Sequence, residues 1–151
     1  MFGAGRKKKK KDFTKKEYDE WFNNLKKENT PSSTPQGVFE IKHTGGVNYE
    51  VYGGGTKFWV DGIRNDVILE TKYVKNPDKS PFISETSIPD FIREKVIKEV
   101  EDEFSRMSRI INDPNNPLKS VEVIINELKA KDFFEKILKK YNIPGKVTIK
   151  D

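Results

Sequence analysis

Of the five charged residues in the largely apolar stretch Phe58-Trp-Val-Asp-Gly-Ile-Arg-Asn-Asp-Val-Ile-Leu-Glu-Thr-Lys-Tyr73, three are spaced so that they could act together: Asp61, Glu70 and Lys72. If Asn65-Asp66 forms a two-residue hairpin turn, Arg64 pairs with Val67, Ile63 with Ile68 and Gly62 with Leu69. Asp61 then falls opposite Glu70, and Trp59 opposite Lys72. Because strand side chains alternate, Asp61, Glu70 and Lys72 share one face, and Phe58, Val60, Val67 and Leu69 take the other as the natural core face. Directly opposed carboxylates sit about 5 Å apart and repel. A divalent cation with oxygen ligands at about 2 Å turns that repulsion into chelation. Lys72 on the same face can orient or deprotonate a water and offset charge on a transferring phosphoryl group. The set suits phosphodiester hydrolysis and fits no common acyl-transfer scheme. A three-residue loop would instead put Leu69 opposite Asp61, with Glu70 as a diagonal neighbour within bridging reach. The same spacing also describes a plain surface hairpin in which Glu70 and Lys72 face solvent.

The flanking segments must hold this hairpin. Thr14-x-x-Glu17 has the form of a capping box, and Tyr18, Trp21, Phe22 and Leu25 recur after it at helical spacing. Residues 29–37 read as a loop. Four strands are expected at 38–43, 47–52, 57–63 and 67–74, separated by Gly45-Gly46, Gly53-Gly54-Gly55 and Asn65-Asp66. A proline-bearing loop comes next, over 75–89. Ser87 is placed to cap a helix reaching Ile111, with Val96, Val100, Phe104, Met107 and Ile111 on its core face. A turn at 113–117, a strand at 121–125, a helix at 128–141 and a strand at 147–149 complete the order αββββαβαβ. That order predicts an α/β (α+β) fold with a mixed sheet flanked by helices.

The chain has 151 residues, 34% hydrophobic and 35% charged, which fits one domain with a compact core under a charged surface. It contains no cysteine and one histidine, so any metal must rest on oxygen or on His43. The net charge of +5 is a local property, since Arg6 and Lys7 to Lys11 supply six positive charges and the remainder is close to neutral. Residues 1–11 are therefore expected to be a disordered basic tail, and 12–151 a single domain. Nucleic-acid binding cannot be argued from the overall charge. No apolar run approaches the roughly 18 residues of a membrane span, and the first residues lack the apolar stretch of a secretory signal.

Other signals are weaker. Glu99, Glu103 and Arg106 fall on one stripe of the long helix, either as solvated ion pairs or as groups reaching a cleft to position phosphate. His43, at an expected strand end, reads as a surface side chain. The glycine run 53–55 is not a phosphate cradle, because neither a helix nor a Lys-Ser pair comes after it. Trp59 could stack on a base, and Arg64 and Arg106 are further candidate nucleic-acid contacts.

With Tyr49-Glu50-Val51, Phe58-Trp-Val-Asp61-Gly62-Ile63, Asn65-Asp66, Leu69-Glu70-Thr71-Lys72-Tyr73, Asp113-Pro-Asn-Asn-Pro117 and Ile143-Pro-Gly145-Lys-Val147, the chain resembles the PD-(D/E)xK superfamily. Within it, residues 14 to 150 are similar to the nuclease domains of bacterial polymorphic toxins. The resemblance implies a restriction-endonuclease-like core, with Asp61 and Glu70 as ligands for Mg2+ or Mn2+ and Lys72 as the catalytic lysine. It also implies one more acidic ligand from upstream, for which Glu50 and Glu17 are the candidates. The residue before the acidic position is Val60 in place of proline. The implied substrate is nucleic acid, DNA ahead of RNA with tRNA open. The implied setting is a secreted bacterial effector acting in the target cell's cytoplasm and neutralised by a cognate immunity protein. A non-toxic nuclease of the same fold and a non-catalytic binding module are the alternatives.

Overall fold

The structure, a computed structural model, describes residues 9–151. Residues 1–8 of the expected basic tail lie outside the described residues. Lys10 and Lys11 of that segment engage the body. The Lys10 ammonium donates to the carbonyls of Asp113, Asn116 and Leu118 at 3.0, 2.6 and 2.7 Å, and Lys11 N–H donates to Pro114 O at 2.9 Å.

The first helix, α1 (Lys15–Asn23), starts as expected. Thr14 Oγ1 accepts from Glu17 N–H, and Glu17 Oε1 accepts from Thr14 N–H at 3.0 Å, closing both halves of the capping box. The next two elements both differ from expectation. Lys26–Asn29 is a strand, β1, although nothing in it alternates; it is a fully exposed, charged edge held by antiparallel pairing to residues 47–50. Residues 38–43 are not a strand but the middle of α2 (Pro35–Thr44). Their apolar, β-branched content imitates a strand, yet the bounding signals are helical. Thr34 caps Gly37 N–H, Pro35 occupies the first turn, and Gly45 closes the helix at φ +94°.

Next come β2 (Val47–Gly53), β3 (Thr56–Val60), β4 (Gly62–Arg64) and β5 (Val67–Lys72). The expected strand 57–63 is broken at Asp61. β3 completes a three-stranded sheet in the order β1-β2-β3, while β4 begins a second sheet. After the 75–89 loop come α3 (Asp90–Ile111), β6 (Ser120–Ile125), α4 (Lys131–Lys140) and β7 (Gly145–Ile149). The second sheet has the order β4-β5-β6-β7, antiparallel at β4–β5 and parallel thereafter. Ser87 does not cap α3, whose N-cap is Pro89 without a side-chain bond; Ser87 bonds Asp78 O instead. The α+β class holds, with four α-helices and two sheets among the described residues where one mixed sheet was expected.

Both faces of β5 are covered. Ile68 packs into the main core with Phe104, Met107, Val123 and Phe134, while Leu69 joins Phe39 and Ile124 under α2. Two covered faces explain the near-continuous apolar run in β5. The Val67 and Leu69 face, expected to be the core, carries only the smaller cluster. None of the described helices is long and apolar enough to cross a membrane.

A Lys10→Ala variant would leave three carbonyls without their shared donor. It is expected to cost about 1–3 kcal/mol and lower Tm by roughly 3–10 °C. An unchanged melting curve would show that the segment is not held.

Candidate active site

The hairpin register is the expected one: Gly62 faces Leu69, Ile63 faces Ile68 and Arg64 faces Val67. The turn residue Asn65 adopts φ +57°, a left-handed conformation that asparagine tolerates. The ladder stops at Gly62, whose hydrogen leaves room for α2; a Cβ there would lie 2.9 Å from Thr44 Cβ. Beyond that point the Asp61 side chain replaces a strand partner. Its Oδ2 accepts from both Thr71 N–H and Thr71 Oγ1–H, each at 2.8 Å.

On the other face of β5, Glu70 and Lys72 point toward α3. Lys72 Nζ lies 2.7 Å from Glu103 Oε1 and 3.6 Å from Glu70 Oε2. The Asp61 carboxyl neighbours Glu70 and also Glu40, a buried residue of α2, and acts on both electrostatically. Asp61, Glu70 and Lys72 are thus brought together, joined by Glu40 and Glu103. Glu40 cannot be recognised while 38–43 reads as a strand. The helix signals at Thr34-Pro35 and Gly45, with Phe39 and Glu40 adjacent on one turn, are the cue for it. Glu103 stands out in the sequence only as part of a stripe that solvent would explain equally well.

The remaining candidates stand elsewhere. Glu50 is buried in β2, accepts from Tyr52 Oη at 2.8 Å and pairs across the first sheet with Trp59. Trp59 therefore does not face Lys72; the sheets part at Asp61 and carry it away. Glu17 is exposed and committed to its cap and to Lys11, which hold its carboxyl down to about 2. Arg64 pairs with Glu122 at 2.8 Å and Arg106 with Asp102 at 3.1 Å, both half-exposed. His43 Nε2 bonds Asp151 O at 2.8 Å. A cavity of about 350 Å3 opens at the turn end of the hairpin, among Tyr18, Asn65, Asp66, Pro117 and Lys119, away from these carboxyls.

Three carboxyl groups around one ammonium, with Glu40 beside Asp61 as a fourth, make the site electrostatically loaded. Burial, then the charge of Asp61, push Glu70 well above the usual carboxylate range, against the opposing pull of Lys72. Glu40 is pushed up to about 7 by the same two causes, with Thr30 Oγ1 opposing at 2.8 Å from its Oε2. Burial works to lower Lys72, but Glu70, Glu103 and Asp61 outweigh it and keep the side chain an ammonium. Glu70 Oε1 is buried with no hydrogen-bond partner, a deficit of about 1–3 kcal/mol.

A donorless buried oxygen among raised carboxyls is what a hard cation would satisfy. Among the described residues no group of three or more acidic or histidine side chains is disposed to hold a metal ion. That does not disqualify Mg2+, which keeps several waters and needs only one or two carboxylates. The pair Glu70 and Asp61, with Glu70 Oε1 lacking any donor, fits such an ion.

No curated protein and no solved structure matches the chain. A family described as "Restriction endonuclease fold toxin 2" matches residues 35–144, from the first turn of α2 to the start of β7. The matched span holds every carboxyl of the cluster, together with Lys72, and the chain belongs to this family of restriction-endonuclease-fold toxins.

Proposed function

We propose that this nuclease toxin domain is a metal-dependent endonuclease whose reaction is carried by Asp61, Glu70 and Lys72. The single observation behind that reading is the buried, partnerless Oε1 of Glu70, a side chain that neighbours Asp61 and has its other oxygen 3.6 Å from the Lys72 ammonium. Glu70 and Asp61 would hold Mg2+ or Mn2+, with waters completing the coordination. When bound, the ion supplies Lewis-acid stabilisation of a phosphodiester undergoing attack by water.

The protein's own groups do the rest. Thr71 saturates Asp61 Oδ2 with two donors, which leaves Oδ1 for the cleft. Lys72, held charged, acts as a donor to the attacking water or to a phosphoryl oxygen and not as a base. Glu103 anchors that ammonium from α3 until a phosphate competes for it.

DNA is the proposed first substrate, with tRNA as the alternative. The toxin family supports the further proposal that the domain is a secreted effector acting in the cytoplasm of a target cell. A nuclease of that kind must be neutralised in the cell that makes it, so a cognate immunity protein belongs to the same reading. Incubation with supercoiled plasmid, total RNA and tRNA, with and without Mg2+, tests the activity and ranks the substrates.

Lys72→Ala and Asp61→Ala are expected to lower cleavage by about 100-fold or more while circular dichroism is retained; full activity in either would overturn the assignment. Glu70→Gln should abolish cleavage yet raise Tm in EDTA at pH 8 by a few degrees, on the order of 2–6 °C, because a buried charge is removed. A lowered Tm there would show that the Glu70 charge is not a burden.

Glu40 gives stability a pH dependence. With an ordinary value near 4.5 unfolded and about 7 folded, it keeps a proton in the native state that the unfolded chain has released. Stability in EDTA should therefore fall as pH rises from about 4.5 through 7. Differential scanning fluorimetry should show this decline, flattened by Mn2+ and shallower in Glu40→Gln, where only the raised Glu70 remains to contribute. A flat profile in the wild-type protein would contradict it.

A further inference from the structure

Gln36, in the first turn of α2, reaches across to the end of β5. Its Oε1 accepts from Tyr73 N–H at 2.8 Å, and its Nε2 lies 3.1 Å from Thr71 Oγ1. The chemistry fixes the orientation of the amide. A backbone N–H can only donate, so the oxygen must face Tyr73 and the NH2 must face Thr71. The Thr71 hydroxyl has one proton. Since it accepts from Gln36, that proton is free for Asp61 Oδ2, 2.8 Å away. One side chain therefore grips the residues on both sides of Lys72 and sets the direction of a hydroxyl that bonds Asp61.

We propose that Gln36 is a positioning residue for this site. It aims Asp61 through the Thr71 hydroxyl and fixes the strand end that carries Lys72 through Tyr73 N–H. The inference rests on the nuclease reading above.

The geometry separates this role from simple packing of α2 on the sheet. Packing at that interface is supplied by Phe39, Leu69 and Ile124. Gln36 is only half-buried, and Thr71, which it addresses, is 2% exposed. A buried hydroxyl with a donor on one side and an acceptor on the other has a single arrangement. Loss of the donor frees it to rotate, and Asp61 then loses one of its two donors part of the time. Outer partners of metal-binding side chains act in this way, by orienting the ligand and setting its basicity.

The test uses the full chain and the variants Gln36→Met, Thr71→Val, Thr71→Ser and the double variant Gln36→Met/Thr71→Val. Each is measured for kcat and KM on the nucleic acid that the wild-type protein cleaves, and for Mn2+ binding by calorimetry. Hydrogen exchange at the Tyr73 amide is tracked in parallel. Gln36→Met and Thr71→Val should each lower kcat and weaken Mn2+ binding by about 10–100-fold, with KM within roughly threefold. Thr71→Ser should restore most of both, and the Tyr73 amide should exchange faster in Gln36→Met. The double variant should be little worse than the single ones, because both act through one hydroxyl.

Wild-type kcat and Mn2+ affinity in Gln36→Met, with only Tm lowered, would reduce Gln36 to a packing contact. Fully additive effects would overturn the path through Thr71. A wild-type chain that neither cleaves nor binds Mn2+ would overturn the nuclease reading itself, and this inference with it.

Discussion

Carboxyl groups of like charge crowded at the junction of the sheets, two of them buried, are the constraint around which this molecule is arranged. Asp61, Glu70 and Glu103 come from the sheet junction, β5 and α3 and surround the single ammonium of Lys72, while Glu40 of α2 adds a fourth carboxyl beside Asp61. Desolvation penalises each charge and mutual repulsion penalises the set. Threonine hydroxyls and one lysine cannot neutralise it. The fold tolerates the cluster because the main core elsewhere is apolar, with Phe104, Met107, Ile110 and Phe134 fully buried. Stability is given up locally, at the point where a ligand can restore it.

The division of the sheets at Asp61 serves that arrangement. If β3 and β4 were one strand, Asp61 would sit in a ladder with its carboxylate projecting from one face. By ending β3 at Val60 and starting β4 at Gly62, the chain lets Asp61 reach the free edge of β5 and bond Thr71 in place of a backbone partner. Asp61 thereby approaches Glu70, on one face, while remaining tied to Thr71 and Gln36, on the other. The junction gathers groups that strand alternation would keep apart.

How far the sequence reveals this depends on whether the signal is local. Asn65-Asp66 between β-branched runs defines the hairpin register, and that register places Asp61 beside Glu70 and Lys72. The Thr14-Glu17 box and the apolar positions of α3 are likewise local patterns. Glu40 is hidden because Val38, Phe39 and Ile41 imitate a strand, and only the flanking cap residues distinguish the helix. β1 is hidden because an edge strand exposed on every residue carries no apolar alternation. Alternation misplaces Trp59 because no residue between Lys57 and Ile63 announces the change of sheet; the need for glycine at Gly62 comes from Thr44, far upstream on α2. Glu103 meets Lys72 across 31 residues of chain, and helical spacing alone cannot distinguish that meeting from solvation.

The margin of the first sheet has a consequence of its own. β1 lies at the edge of its sheet and presents Lys26, Lys27 and Glu28, all exposed, along peptide groups that no further strand covers. A second chain extending the sheet there would have to strip water from these charges and set its own strand beside two lysines. Self-association by strand addition is thereby discouraged. The same charges that leave β1 without an apolar signature in the sequence thus guard the edge it forms.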